Sequence, residues 1–209
     1  MGEKKSNQKV WDCYAKWYDF EIERFNKKAY RQMYAEISGA LNKNMNVLEV
    51  ATGTGLIALN VAESANMVEA IDFSKEMIKK ALKKENPYDV HFSVADATNL
   101  PFESMTFDVV IIANALHIMP EPELALANIK RVLKPKGILI APYFSQGHVS
   151  DLSWWISVRV LRMFGFETYA KLTPEEYVSF IEKNGFIVTK WQILQAGFPL
   201  VYLEARMED

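Results

Sequence analysis

"VLEVATGTGLIAL", residues 47–59, carries the strongest structural signal in the chain. Its first half is a mostly apolar run, which is typical of a strand buried on both faces. Gly53 and Gly55 then allow a sharp turn and a close approach of the backbone to a ligand, and the helical pattern that follows offers unpaired N–H groups. Residues 53–58 also satisfy the dinucleotide-binding pattern G-x-G-x-x-A, so a nucleotide-like ligand is expected here. The alternative is a tight turn that binds no ligand.

The composition is that of an ordinary folded domain. Of the 209 residues, 50% are apolar and 24% are charged, and the formal net charge of −2 argues against nucleic acid as a partner. Cys13 is the only cysteine and the three histidines are scattered, so neither a disulfide nor a metal site is expected. The start of the chain is polar and no apolar segment reaches membrane-spanning length, which predicts a cytoplasmic protein.

Short apolar runs alternate with helical patterns over the first two thirds of the chain. The strand candidates are 46–51, 67–72, 90–96, 107–114 and 137–144, and the helix candidates are 55–65, 74–84 and about 121–133. Ser74 is expected to cap the second helix and Pro122 to begin the third, which "KPKG" (134–137) ends before turning into the next strand. Alternation of this kind predicts a parallel sheet with helices on both faces.

The last third of the chain has a different pattern. Residues 151–166 are an apolar helix candidate, and 173–185 form a helix with Thr173 as the cap, Pro174 as its first residue, Glu176 in a capping box and Gly185 at its end. The β-rich runs 186–194 and 199–207 follow, at the spacing of an antiparallel hairpin. The predicted fold is therefore a doubly wound, mostly parallel α/β sheet of seven strands with an antiparallel C-terminal hairpin.

Acidic residues stand near the ends of the first three strands. Glu49 is a poor neighbour for a pyrophosphate, because two like charges about 5 Å apart at an effective dielectric of about 20 repel by roughly 3 kcal/mol. It suits the ammonium and sulfonium of S-adenosylmethionine. Asp72 can accept both hydroxyls of a ribose, or it can simply stabilise a helix N-terminus. Asp96 can accept from an adenine amino group, or it can stabilise a turn.

The segments "VLEVATGTG", "IDFSKEM", "VADATNLPF", "FDVVIIANALHIM" and "LKPKGILI" occur in this order. In these segments and their order, the chain resembles the class I S-adenosylmethionine-dependent methyltransferases. The resemblance is to the methyltransferase type 11 branch, which includes the ubiquinone/menaquinone-biosynthesis C-methyltransferases, and "WDCYAKWYD" is similar to the opening helix of that branch. It covers nearly the whole chain and is weakest over 145–185. It implies one Rossmann-like domain, 1–209, with a helical cap at 1–40 and a helical lid insertion at 145–185.

The resemblance implies S-adenosylmethionine as the cofactor and S-adenosylhomocysteine as the product. In the implied site the loop from 49 to 55 wraps the methionine part, Asp72 holds the ribose, and Asp96 holds the adenine amino group. The implied cofactor-binding residues are Tyr18, Glu49, Ala51, Thr52, Gly53, Gly55, Asp72, Phe73, Met77, Asp96, Ala97 and Asn114. Two departures stand out: Ala51 replaces a glycine of many relatives, and "NALH" lacks the Asn-Pro-Pro-aromatic signature of enzymes that methylate DNA or protein amino groups.

Methyl transfer needs alignment of the acceptor and exclusion of water, and a general base only where the acceptor must lose a proton. His117 and His148 are the candidate bases, and Tyr14, Tyr18 and Tyr143 are candidate hydrogen-bonding groups, with a structural role as the alternative for each. Of these, His117 and Tyr18 are the predicted catalytic residues.

The apolar segment 151–166 indicates the acceptor. As a hydrophobic lid it would suit a small aromatic or lipophilic molecule; it could also be a core helix. With Arg159 and Arg162 it could instead rest on an anionic membrane surface. Two other functions stay open, an NAD(P)-dependent oxidoreductase, although no Tyr-x-x-x-Lys pair is present, and a non-catalytic S-adenosylmethionine-binding protein. The oligomeric state and the methylated atom are not predicted.

Overall fold

The computed structural model describes residues 2–145, 172–194 and 200–208. The helices are α1 (Gly2–Glu21), α2 (Lys27–Ala40), α3 (Leu56–Val61), α4 (Lys75–Ala81), α5 (Pro122–Val132) and α6 (Pro174–Lys183), with a π-helical turn at Ile22–Asn26 and 3-10 turns at Ala62–Ser64 and Leu116–Ile118. The strands are β1 (Asn46–Val50), β2 (Met67–Asp72), β3 (Val90–Val94), β4 (Phe107–Ile112), β5 (Leu133–Ile140), β6 (Tyr143–Phe144), β7 (Phe186–Leu194) and β8 (Leu200–Met207).

The strands form one sheet in the order β3-β2-β1-β4-β5-β8-β6, with β7 paired to β8. The first five are parallel, and β8 runs antiparallel to its three neighbours. The predicted α/β fold with an antiparallel C-terminal pair is thus confirmed. Eight strands occur in the described residues rather than seven, because Pro142 interrupts the predicted strand 137–144 and its end pairs separately as β6. The order reverses between β1 and β4, where open α/β sheets bind ligands at the carboxyl ends of the strands.

Side chains alternate between the two faces of the sheet, since successive residues of a strand point in opposite directions. Val109 and Ile111 of β4 pack with apolar residues of α2 and α3, whereas Val110 and Ile112 pack with residues of α5 and α6. All four are fully buried. This double coverage explains why β4 is apolar at every one of these positions.

Capping residues set the helix boundaries. The Ser74 hydroxyl accepts a hydrogen bond from Met77 N at 3.2 Å and Pro122 begins α5, as predicted. Thr173 and Glu176 form the predicted capping box of α6.

The predicted turn at 134–137 lies inside a strand instead. Phe107 of β4 pairs with Leu133 of β5, and Val109 pairs with Ile138. Residues 134–137 therefore have no matching length in β4 and form a bulge within β5.

Helices α1 and α2 occupy the N-terminal part of the chain, and α1 packs against α4. The described part of the chain contains no helix that is both long and apolar enough to cross a membrane. The helix candidate 151–166, with Arg159 and Arg162, and most of the proposed lid fall outside the described residues, so these remain predictions.

Candidate active site

The loop after β1 turns sharply because three alternate residues have a positive φ. Ala51, Gly53 and Gly55 have φ of 58°, 56° and 78°. A Cβ on Gly55 would lie 2.7 Å from the Phe92 ring, so glycine is required there for space as well as for conformation. Ala51 accepts a left-handed conformation that its side chain disfavours. The loop delivers the chain directly into the N-terminus of α3.

Glu49 connects this loop to α3. It is 1% exposed, and its Oε2 accepts hydrogen bonds from the Thr52 hydroxyl at 2.6 Å and from Ala58 N at 2.8 Å. Burial raises the pKa of Glu49 to about 8, although the two hydrogen bonds oppose the rise. The carboxyl group therefore holds the loop after β1 in a fixed position relative to α3.

Asp72, the last residue of β2, joins the two loops of the site. Its Oδ2 accepts from Gly53 N and its Oδ1 accepts from Ser74 N, both at 2.8 Å. Burial raises the pKa of Asp72 to about 6, while these backbone N–H groups lower it in part. Each oxygen of the carboxylate thus accepts from a backbone N–H, and the Phe73 N–H adds a further donor. Since a carboxylate has about four lone-pair sites, it can still accept from a ligand.

A cavity of about 460 Å³ opens beside Asp72 at the carboxyl ends of the parallel strands. Its wall includes the predicted residues Tyr18, Ala51, Gly53, Asp72, Phe73, Met77, Asp96, Ala97 and Asn114. Of the other predicted residues, Glu49, Thr52, Gly55 and His117 are not in the wall, and His148 is outside the described residues. The first three of these shape the glycine loop.

Asp96 contributes to the wall but also stabilises its own turn. Its Oδ1 accepts from the Thr98 N at 2.8 Å and from the Thr98 hydroxyl at 2.7 Å. Both interpretations of this residue from the sequence are therefore compatible with its position.

Asn114 follows β4 in a left-handed conformation with φ of 54°. Its N–H donates to the Pro142 carbonyl at 2.8 Å, and its Oδ1 accepts from Phe144 N at 2.9 Å. These bonds tie the end of β4 to β6. The Nδ2 atom of Asn114 is buried and has no hydrogen-bond partner among the described residues.

His117 lies in the same loop, behind the wall of the cavity. Its ring meets Tyr143 edge to face, with the centroids 5.1 Å apart, and its Nδ1 is buried without a partner in the described parts of the chain. Burial lowers the pKa of His117 to about 4, so the imidazole is neutral at pH 7. A base of such low pKa is a weak one near neutrality.

Helix α1 covers part of the cavity with Trp11 and Tyr18. The Tyr18 hydroxyl hydrogen-bonds that of Tyr30 at 3.2 Å, and Tyr14 packs edge to face on Tyr18. Burial, with a smaller effect of Tyr30, raises the pKa of Tyr18 well above its usual range, so its phenol stays neutral.

Two aspartates attach α1 to the loops of the site. Asp12 Oδ1 accepts from the Ser74 hydroxyl at 2.5 Å, next to the cap of α4. Asp19 accepts from the Thr54 hydroxyl in the glycine loop and pairs with Lys84 at 3.1 Å. These contacts were not predicted, because the segment "WDCYAKWYD" indicates a helix but not which distant side chains its aspartates bond.

Residues 48–141 match the family model described as a methyltransferase domain. A demethylmenaquinone methyltransferase of Renibacterium salmoninarum is 39% identical over 118 residues, which cover 56% of this chain and 48% of that protein. A ubiquinone/menaquinone biosynthesis C-methyltransferase of Rickettsia massiliae is 34% identical over 150 residues, which cover 66% of this chain and 60% of that protein. The solved DhpI–SAH complex matches with a TM-score of 0.74 and 20% identity, over 98% of this chain and 96% of that one.

The chain spans about half to three fifths of the length of these two relatives. The likeness to the solved complex, at 20% identity, concerns the fold. The family match and the two relatives favour methyl transfer over the NAD(P)-dependent oxidation that the glycine pattern alone left open.

Proposed function

We propose that this chain, a class I S-adenosylmethionine-dependent methyltransferase of the ubiquinone/menaquinone-biosynthesis branch, transfers a methyl group. Its acceptor is proposed to be a small hydrophobic or aromatic molecule. S-adenosylmethionine is the cofactor of this family, and when bound it supplies an activated methyl group. The proposal depends most on one observation: the Asp72 carboxylate bonds the glycine loop through Gly53 N and also lines the cavity.

The cavity suits such a cofactor in size and charge. Its volume of about 460 Å³ is within the usual range of small-molecule pockets. Asp72 and Asp96 are both in the wall, and a carboxylate accepts from hydroxyl or amino groups but repels a phosphate. Gly53 brings the backbone close to Tyr18, since a Cβ there would lie 3.7 Å from the phenol ring. The described residues therefore fit a cationic, phosphate-free adenosine compound.

Six of the wall residues have a proposed task. Asp72 accepts the ribose hydroxyls, Asp96 accepts from the adenine amino group, and Phe73 and Met77 flank the adenine. The loop around Gly53 wraps the amino-acid part. Tyr18 covers the site as a neutral hydroxyl and excludes water, which would otherwise compete with the acceptor.

The acceptor is proposed to carry a quinol-type ring. Two relatives are named for menaquinone or ubiquinone biosynthesis, and the part of the wall after β4 is mainly apolar. A reduced ring is a suitable carbon nucleophile, since its hydroxyl oxygen donates electron density as it loses its proton. His117 lies behind this part of the wall, and its pKa of about 4 makes it a weak base near neutrality, so it is proposed to support the loop that lines the acceptor site.

Calorimetric titration tests the cofactor first. We expect S-adenosylmethionine and S-adenosylhomocysteine to bind and NADP not to bind, and Asp72→Asn to weaken both complexes. Incubation with reduced demethylmenaquinone analogues and S-adenosylmethionine, followed by mass spectrometry, should then reveal a product heavier by one CH₂. Binding of NADP alone would contradict the proposal, and cofactor binding without any product would favour a non-catalytic relative.

A further inference from the structure

Helix α1 has two sides with different surroundings. One side carries Trp11 and Tyr18, which line the cavity. On the other side, the side chains of Trp17 and Phe20 are 67% and 63% exposed. These two residues are three positions apart, so they are neighbours on the helix surface. Scattered apolar side chains on a protein surface are ordinary, but adjacent aromatic ones indicate a surface that contacts a partner.

Helix α4 and the turn after it add positive charge to this side of α1. Residues 75–84 contain five lysines and one acidic residue, although the whole chain has a net charge of −2. The two helices are in direct contact, because Lys80 Nζ donates to the Lys16 carbonyl at 3.2 Å and lies 3.9 Å from the Asp19 carboxylate. The lysines of α4 therefore adjoin the part of α1 that carries the exposed aromatic side chains.

Part of this positive charge is not neutralised within the described parts of the chain. Lys16, Lys75 and Lys83 are exposed, and none of them forms an ion pair with a described residue. The other lysines of residues 75–84 are paired with Glu76 or Asp19. Free cations and exposed aromatic rings thus form one surface, the α1–α4 face, which consists of Lys16, Trp17, Phe20, Lys75 and Lys83.

A second group of exposed apolar side chains, on β7, has a different charge pattern. Trp191 and Ile193 are 42% and 47% exposed. The neighbouring cation, Lys190, is paired with both Glu36 and Glu204. Since these two carboxylates neutralise the lysine, the apolar residues of β7 have little attraction for an anionic surface. The α1–α4 face has such an attraction, because its lysines are free.

We propose that the α1–α4 face binds the anionic surface of a phospholipid bilayer, with Trp17 and Phe20 among the lipid headgroups and the lysines against the lipid phosphates. Aromatic rings favour the headgroup region, where an apolar body is partly withdrawn from water. Each lysine next to them gains attraction from anionic lipids. The contact uses neither the cofactor nor the acceptor, so it does not depend on the proposed methyl transfer.

Co-sedimentation with vesicles tests the proposal in the absence of cofactor and acceptor. We expect the wild type to bind vesicles of phosphatidylglycerol and phosphatidylcholine in equal parts, to bind pure phosphatidylcholine roughly tenfold more weakly, and to be released by salt. The double variants Trp17→Ser/Phe20→Ser and Lys16→Gln/Lys83→Gln should each bind the anionic vesicles about tenfold more weakly. Trp191→Ser, which removes an exposed tryptophan from β7, is the matched control and should bind like the wild type.

Vesicles that contain brominated phospholipids identify the inserted residue, because bromine quenches tryptophan fluorescence only at short range. The quenching seen with the wild type should be reduced in Trp17→Phe and unchanged in Trp191→Phe. Quenching that persists in full in Trp17→Phe would place the lipid contact on another part of the chain and overturn the proposal. Absence of binding to anionic vesicles, or equal binding by both double variants and the wild type, would overturn it as well. Retention on heparin without binding to vesicles would indicate a different polyanion as the partner and would also contradict it.

Discussion

Replacement of Glu49 by Gln should change how the free energy of unfolding of the cofactor-free protein depends on pH. The carboxyl group is 1% exposed, and burial raises its pKa from the ordinary 4.5 to about 8. An acid with a higher pKa in the folded state holds its proton more tightly there than in the unfolded chain. Its contribution to stability is therefore complete below pH 4.5 and is lost as the pH rises to about 8.

The size of this loss follows from the two pKa values. Each unit of difference in pKa between the folded and unfolded states corresponds to about 1.4 kcal/mol. Ionisation of Glu49 should therefore lower the free energy of unfolding of the wild type by about 5 kcal/mol between pH 4.5 and 8. In Glu49→Gln the side chain does not ionise, yet it keeps an oxygen for Thr52 and Ala58. The two proteins should be similarly stable at acidic pH, and the variant should be the more stable one at pH 8.

Urea unfolding followed by circular dichroism at a series of pH values measures the difference directly. Glu103→Gln, which removes a carboxylate from an exposed loop, is the matched control and should follow the wild type throughout. Stability curves of Glu49→Gln and wild type that stay parallel from pH 4.5 to 8 would refute the argument that this carboxyl group is destabilised by burial.

Three further predictions concern the same site. Asp72→Asn replaces one of two acceptor oxygens by a donor, so S-adenosylhomocysteine should bind roughly ten- to a hundredfold more weakly in calorimetry; an unchanged affinity would exclude Asp72 from the cofactor site. Asp19→Asn weakens the attachment of α1 to the glycine loop, and bound S-adenosylhomocysteine should dissociate about fivefold faster in stopped-flow experiments; an unchanged rate would show that α1 does not limit release. Gly55→Ala forces a side chain against Phe92 at φ of 78° and should destabilise the fold by about 2–4 kcal/mol in chemical unfolding, whereas Gly39→Ala, with open space around it in α2, should stabilise it by about 0.5–1 kcal/mol. Equal effects of the two alanines would contradict the conformational argument.

Features that depend on short-range patterns were predictable from the sequence. Most strands could be located because they are short, mainly apolar runs. The caps at Ser74 and Thr173 could be located because their hydroxyls bond N–H groups three residues away. Asp72 was placed correctly at the end of β2 for the same reason. A residue directly after a parallel strand reaches the ligand-binding edge whatever the rest of the fold does.

Features that depend on distant partners were not predictable. The sequence predicts Glu49 as a direct neighbour of the ligand charge. In the structure its Oε2 instead accepts from Thr52 and Ala58, and Glu49 is absent from the cavity wall. The orientation of a buried side chain at the end of a strand depends on the hydrogen-bond donors of the helix that follows, here Ala58 N of α3. The bulge at 134–137 likewise follows from the pairing of β5 with β4, more than twenty residues earlier in the chain.

The attachment of α1 also bears on the order in which the protein assembles. Asp12 and Asp19 find their partners 62 and 65 residues further along the chain, at Ser74 and Lys84. The ribosome therefore completes this helix well before the surface that receives it exists. Until residues 74–84 have emerged, Ser74 and Lys84 are not in place to bond Asp12 and Asp19. Contacts closed over such long separations form late, and docking of this helix should be among the final steps of folding.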